Sequence, residues 1–393
     1  MIPSPTNTAI LAQCVLPLIH FNRPYSAVKS FEYMRRAIED SHTCGGGPFT
    51  KRCNAFIERQ LGVPKAMLTT SCTDALEMCA LLLGVGPGDE FIVPSFTFVS
   101  TANAFALHGA TPVFCDVRSD TLNLDESLLE RLISPKTKAI VLVHYAGVAC
   151  EMDAILEIAG RHGIPVVEDN AHGFFGKYKG RFLGTFGVLS TLSFHETKNF
   201  NCGEGGALLL NDPTLVSRAE IILEKGTDRS RFFRGQVDKY TWVDVGSSFL
   251  LSDMLAAYLY AQFEISGEIQ ESRKRIWNHY MSRLKTWALA NGVRMPSVPE
   301  DCEHPYHLFY LLMPSLSDRQ GLIEHLKGKG IISTFHYTPL HLSVKGRDYG
   351  GRPGDCPVTE NVSDHLVRLP VYLDLSEADL DRIISGVLSY QVG

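Results

Sequence analysis

The chain has 393 residues, with 37 Lys and Arg against 43 Asp and Glu, a formal net charge of -6 and 45% hydrophobic residues. At roughly 150 residues per domain this length calls for two or three domains, or one large α/β body with an appendage. The apolar content excludes a globally disordered chain. The slight acidity excludes a general electrostatic hold on nucleic acid or an anionic membrane, leaving a local basic patch open.

In chain order, the first two-thirds alternates short β-branched runs with helical stretches. Ala66–Leu68 reads as a strand and Thr73–Leu83 as a helix. Glu90–Val93 is a strand, Phe98–Leu107 a helix, Pro112–Asp116 a strand and Glu126–Ile133 a helix. Lys138–His144 is a strand, Met152–Arg161 a helix and Ile164–Glu168 a strand, followed by two further strands at Leu189–Phe194 and Ala207–Leu210. This alternation predicts an α/β fold, a mainly parallel sheet covered by helices. The last third changes character. One long helix is predicted over Leu251–Ile276, then strands at His307–Met313 and Ile331–His336 around a helix near Asp318–Leu326. The domain boundary is placed near residue 255, give or take about ten residues, which gives a large domain over 1–255 and a smaller one over 256–393.

No apolar stretch is long enough to cross a membrane. Met1–His20 has no Lys or Arg before its apolar part, which makes it a poor signal peptide. Ten cysteines are scattered without a Cys-x-x-Cys or the Cys/His spacing of a zinc site. Free thiols in a reducing compartment, a cytoplasmic location and no metal are the expectations.

Ligands in open α/β sheets gather at the C-terminal ends of strands, and three such ends stand out. Thr69-Thr70-Ser71-Cys72-Thr73 joins a strand to a helix and offers hydroxyls and free N–H groups to an anion such as phosphate. An ordinary Ser/Thr N-cap fits the same residues. Val166-Val167-Glu168-Asp169-Asn170-Ala171-His172 delivers acids to a strand's edge, where Asp169 needs a cationic or protonated partner; a helix cap or an Arg pair would also satisfy it. Ser193-Phe194-His195-Glu196-Thr197-Lys198-Asn199, followed by Gly203-Glu204-Gly205-Gly206, puts a lysine beside a glycine-rich turn. Desolvation there would lower its pKa and make it a nucleophile, although a lone lysine is more often a solvated surface residue. Taken together, the three sites match pyridoxal 5'-phosphate (PLP), which needs a phosphate cradle, a carboxylate for its ring nitrogen and a lysine for its aldehyde.

These motifs resemble the nucleotide-sugar aminotransferases of the DegT/StrS type, which have PLP fold type I. Pro94-Ser95-Phe96-Thr97-Phe98-Val99-Ser100-Thr101 and Tyr337-Thr338-Pro339-Leu340-His341 support the resemblance, which runs from about Asn22 to the C-terminus. Within the family, His144–Asp153, Lys225-Gly226-Thr227, Phe232–Trp242 and Gly246-Ser247-Ser248 resemble the dTDP-4-amino-4,6-dideoxygalactose transaminases. The resemblance implies a large domain with a mostly parallel seven-stranded sheet flanked by helices, plus a smaller C-terminal α+β domain. It also implies a homodimer with shared active sites.

By the same resemblance, Lys198 is the Schiff-base lysine, Asp169 pairs with the pyridine nitrogen and Phe98 stacks on the ring. Cys72, Thr73 and Ser193 match phosphate contacts, Cys72 through its N–H, and His172 sits near the 3'-oxygen or ring face. Ser248 stands where many members carry an Asn that reaches the partner's phosphate. Arg229, Arg231 and Arg234 read either as a solvated basic loop or as recognition of the nucleotide diphosphate or of glutamate. Tyr337 and His341 match substrate-side positions, where packing residues are also common. Asn170 occupies a position that is usually small and apolar, without a functional account. The implied reaction moves the amine of L-glutamate onto C4 of dTDP-4-dehydro-6-deoxy-D-glucose. The alternatives are a C3 ketone, a UDP or GDP sugar, or a PLP-holding binding or regulatory protein.

Overall fold

A computed structural model describes residues 17–393; Cys14 and most of Met1–His20 lie outside them. Seven strands form the central sheet: β1 (Lys65–Thr69), β2 (Glu90–Pro94), β3 (Thr111–Cys115), β4 (Thr137–Val143), β5 (Val166–Asp169), β6 (Leu189–Ser193) and β7 (Gly206–Leu210). Their spatial order is β1-β7-β6-β5-β4-β2-β3. β7 runs antiparallel to both neighbours, and the remaining pairs are parallel. The mainly parallel seven-stranded sheet expected from the sequence is therefore present.

The central strands read as near-continuous apolar runs because both faces are covered. Phe91, Val93, Val141 and Val167 face one core with the helices Cys72–Leu82 and Val99–Ala106. Their neighbours Ile92, Ile140, Leu142 and Val166 face the opposite core with Met152 and Ile155 of the helix Met152–His162. This is the twofold side-chain alternation of a strand. The register sets Val143 beside Asp169 and Asp169 beside Thr191, so the ends of β4, β5 and β6 come level at one edge.

Three expectations are corrected. The long helix is two helices, Asp253–Glu264 and Ser266–Ala290, broken at Ile265 (φ -110°, ψ 23°). The first packs on the N-terminal helices Ser30–Glu39 and Pro48–Leu61, and Asp253 caps the latter through the N–H groups of Phe49 (3.2 Å) and Thr50 (2.7 Å). Glu126–Ile133 divides into a 3-10 turn at Glu126–Leu128 and a short helix at Leu129–Leu132. Ile331–His336 is not a strand. It makes isolated bridges, Ile331 to Ile19 and Thr334 to Arg368, and then leaves the sheet to line a cavity.

The C-terminal part is built on an antiparallel pair, β8 (Phe309–Leu312) and β9 (Leu366–Leu369). Phe309, Leu322, Leu326, Val367, Ile383 and Ile384 form a core there with Ile276 of the second long helix. Asp116 ties this part to the end of β3 by accepting from the N–H groups of Val358 (2.9 Å) and Thr359 (2.8 Å) at the start of the helix Pro357–His365. The nine described cysteines are unpaired, no described helix is long and apolar enough to cross a membrane, and no metal-holding cluster occurs among the described residues.

Candidate active site

A cavity of about 650 Å³ opens at the C-terminal ends of β4, β5 and β6 and is walled on its far side by the C-terminal part. Lys198, Asp169, Cys72, Thr73 and Ser193 line it together, as do Phe98, His172 and Tyr337.

Asp169 ends β5 and is buried. Its Oδ2 accepts from the Thr101 hydroxyl at 2.7 Å and its Oδ1 from the Ala171 N–H at 3.2 Å. Burial raises its pKa against these two hydrogen bonds. No cation among the described residues forms an ion pair with it, so it suits a protonated ring nitrogen. Its neighbour Glu168 points the other way. Its carboxylate accepts from the N–H groups of Gly184, Phe186 and Gly187, each at 2.7 Å, and from His144 Nε2 at 2.9 Å. His144 Nδ1 accepts from the Cys150 N–H at 3.2 Å, which places the imidazole proton on Nε2. Glu168 thus anchors the strand that presents Asp169.

Lys198 sits on a turn closed by three backbone bonds: Phe194 N–H to Gly205 O (2.7 Å), Glu196 N–H to Gly203 O (2.9 Å) and Lys198 N–H to His195 O (2.9 Å). The glycine-rich segment is therefore the other wall of the lysine turn. Burial lowers the Lys198 pKa to about 8, opposed by Cys72 and Asp169 and assisted by Arg368. The next residue, Asn199, donates to Pro305 O (2.8 Å) and accepts from His307 Nδ1 (2.9 Å), pinning the turn to the C-terminal part.

The N-terminus of the helix Cys72–Leu82 could hold an anion. Ser71 caps it by accepting from the Asp74 N–H, and the N–H groups of Cys72 and Thr73 have no acceptor among the described residues. The Cys72 thiol turns away to Thr191 Oγ1 (3.4 Å), leaving its N–H as the donor. A Cβ on Gly206 would lie 2.4 Å from the Cys72 nitrogen, so β7 approaches the cradle this closely because residue 206 is glycine.

His172 belongs to a stack of rings. Its imidazole lies 4.3 Å from that of His307 and 6.1 Å from that of His336, which lies 3.5 Å from the Tyr337 ring. Burial lowers the pKa of all three histidines, so this wall is neutral and aromatic near pH 7. Phe98 is half exposed at the mouth, its ring 6.3 Å from that of Tyr337.

The remaining sequence candidates are not brought to the cavity. His341 is fully buried, its Nδ1 at 2.6 Å from Ser95 Oγ and its Nε2 at 3.1 Å from Glu360 Oε1, where it joins two parts of the fold. Arg229, Arg231 and Arg234 bind Glu224, Ser217 and Glu220 on a surface helical turn. Ser248 bridges Glu224 on the same side. Asn170 is buried with both amide atoms unpaired, and nothing in the structure explains it. Sequence reasoning missed Thr101, Asn199, His307, His336 and Arg368. The signal for Arg368 was a charge in the middle of the apolar run Leu366-Val367-Arg368-Leu369.

A helix N-terminus with free N–H groups, a buried acid without a cation and a desolvated amine facing one cavity fit PLP, on the geometry alone. Comparison with known proteins agrees. The family model for DegT/DnrJ/EryC1/StrS aminotransferases matches residues 26–388. The chain is 34% identical over 347 residues to the spore coat polysaccharide biosynthesis protein SpsC of Bacillus subtilis, covering 86% of this chain and 87% of that one. It is 32% identical over 374 residues to GDP-perosamine synthase of Caulobacter vibrioides, covering 95% and 98%. The solved aminotransferase TlmJ of Streptoalloteichus hindustanus superposes with a TM-score of 0.86 at 31% identity, covering 95% of this chain and 98% of that one.

Proposed function

The chain belongs to the DegT/DnrJ/EryC1/StrS aminotransferase family, and from that premise we propose that it moves the amine of L-glutamate to C4 of dTDP-4-dehydro-6-deoxy-D-glucose, giving dTDP-4-amino-4,6-dideoxy-D-galactose and 2-oxoglutarate. It is a PLP-dependent sugar aminotransferase; the nucleotide, the ketone position and the product's configuration are what is proposed. The observation that carries the reading is the meeting of Lys198, Asp169 and the free N–H groups of Cys72 and Thr73 around one cavity.

When bound, PLP supplies a carbonyl that takes up an amine and a protonated ring that accepts electrons from the adjoining carbon. In the proposed assignment, Asp169 holds the ring nitrogen protonated, with Thr101 fixing the carboxylate. Cys72, Thr73 and Ser193 hold the phosphate, and Phe98 and His172 bound the ring. Lys198, with a pKa near 8, is neutral often enough to take the proton from the α-carbon of glutamate and to return one to C4 of the sugar. Tyr337 lies on the substrate side. Ser248, Arg229, Arg231 and Arg234, remote from this chain's own cavity, are assigned to the partner's site in a homodimer. The two-domain division near residue 255 and a cytoplasmic location complete the proposal.

The subgroup segments His144–Asp153 and Phe232–Trp242 support the dTDP-linked substrate. A second reading, a GDP-linked keto sugar, is favoured by the similarity to GDP-perosamine synthase over 95% of the chain. The test is to incubate purified protein with L-glutamate and each keto-sugar nucleotide and to identify the product by NMR. An axial C4 amine on the dTDP sugar supports the first reading. An amine formed on the GDP sugar alone replaces it with the second, and no glutamate consumption with any keto sugar overturns both.

A further inference from the structure

Arg273, in the helix Ser266–Ala290, is 4% exposed. No carboxylate among the described residues forms an ion pair with it. Its Nε donates to Tyr306 O at 3.1 Å and its Nη2 to His307 O. One turn further along the helix, the Trp277 ring lies 4.5 Å from that of His304 and 5.9 Å from that of Tyr306. This helix face therefore grips residues 304–307, and it does so with a charge that is expensive to bury without a counter-ion.

The gripped backbone is itself unusual. Tyr306 has φ +54°, a left-handed conformation that a bulky side chain keeps only where its surroundings impose it. Its two neighbours are the residues that hold Asn199: Pro305 accepts through its carbonyl (2.8 Å) and His307 donates through Nδ1 (2.9 Å). The turn at Tyr306 thus decides whether both reach Asn199 at once, and the guanidinium holds the carbonyls of Tyr306 and His307 in that turn. Arg273 does not line the 650 Å³ cavity. It meets Lys198 and Asn199 around a separate space of about 10 Å³, room for a single water. Its route to the amine therefore runs through residues 305–307 and Asn199 rather than through substrate. We propose that Arg273 is a positioning residue for the reacting amine: by fixing the backbone of Tyr306 and His307 it sets the grip on Asn199 that aims Lys198 at the cavity. The inference rests on the aminotransferase reading above, with Lys198 as the amine.

The test compares Arg273→Met, Arg273→Lys, Asn199→Ala and the combination of Arg273→Met with Asn199→Ala. In the holoenzyme, each half-reaction is followed by the visible cofactor band. Because Lys198 handles the proton in both, Arg273→Met is expected to slow both about 10–100-fold at saturation, with the half-saturating concentrations of L-glutamate and of the keto-sugar nucleotide within about threefold of wild type. Arg273→Lys keeps one donor group and is expected to recover part of the rate. Asn199→Ala is expected to lose a similar factor, and adding Arg273→Met to it to cost less than about twofold more. Losses that multiply, a loss confined to one half-reaction, or a raised half-saturating concentration without a loss of rate overturns the proposal. Should Arg273→Met fail to fold, Arg273→Lys takes its place in the same cycle.

Hydrogen exchange in the protein without cofactor gives a readout independent of turnover. The peptide Phe194–Asn199 is expected to exchange about tenfold faster in Arg273→Met and in Asn199→Ala, while Val166–Asp169 keeps its wild-type rate. Equal acceleration of both segments, the mark of a general loss of stability, or no acceleration of Phe194–Asn199 overturns the proposal. A wild type that forms no visible band with PLP and consumes no glutamate, in a protein whose Phe194–Asn199 exchange still responds to Arg273→Met, would overturn the aminotransferase reading and leave the tie between Arg273 and the lysine turn standing.

Discussion

The Thr101 hydroxyl, one turn into the helix that follows β2, donates to Asp169 Oδ2 at 2.7 Å and is itself 2.8 Å from the Thr97 hydroxyl. The acid that faces the cavity is thus aimed from a different strand-helix unit than its own. Asp169→Asn preserves this hydrogen bond and removes the charge. Turnover is expected to fall about 10²–10³-fold. The raised pKa of Asp169 means that the folded state holds its proton more tightly than the unfolded chain. Stability without cofactor therefore falls as pH rises from the unfolded carboxylate pKa through the folded one. The Asn variant is expected to lack this fall and, without cofactor, to melt no lower than wild type near pH 7. Thermal melts across pH check this.

Lys198→Met removes the amine proposed to hold the cofactor, and the visible band and the transamination are both expected to vanish. Stability is expected to move the other way. The folded pKa of Lys198 is lowered to about 8, so the unfolded chain binds the proton more tightly. Wild-type stability without cofactor then rises with pH between about 8 and 10.5. The Met variant is expected to be more stable below that window, by on the order of 3 kcal/mol, with the gain shrinking across it. Urea unfolding of both proteins without cofactor at several pH values reads this directly.

Gly206→Ala places a methyl group 2.4 Å from the Cys72 nitrogen. The cradle must shift to admit it. Cofactor affinity is expected to drop at least about tenfold, while Lys198 and Asp169 stay in place. Equilibrium dialysis with PLP measures the change, and excess PLP is expected to restore much of the activity.

Glu168→Ala strands three N–H groups and the His144 proton in the interior. A loss of about 3–5 kcal/mol is expected, read by chemical denaturation. His341→Ala, which breaks the buried Ser95–His341–Glu360 link, is expected to lose about 2 kcal/mol with both substrate KM values unchanged within about twofold. A KM that rises for one substrate alone would return His341 to the substrate side.

The large sheet was legible because its parallel strands are short apolar runs, most of them delivered between helices, and a parallel sheet buried on both faces needs that pattern. The break at Ile265 was not, because apolar residues continue on both sides of it, from Leu259 and Phe263 to Ile269 and Ile276. Ile331–His336 carries the composition of a strand but finds a partner only at Ile331 and Thr334, since its end must supply Phe335, His336 and Tyr337 to the cavity. Asp169 could be read because it ends β5, and Lys198 because it follows β6 on a turn beside a glycine-rich segment. Arg368, His307 and His336 could not be, because the contacts that give them meaning join segments far apart in the chain, as His307 and His336 do with His172.

Asn199 is held by Pro305 and His307, residues made long after it. A nascent chain that has produced the whole central sheet still lacks the grip that sets the neighbouring lysine, and it also lacks β9. On the assignment proposed above, capture of a vitamin-derived ring would therefore be a late event in the life of the polypeptide, and a molecule truncated before residue 305 would leave the ribosome with the Lys198 turn unpinned.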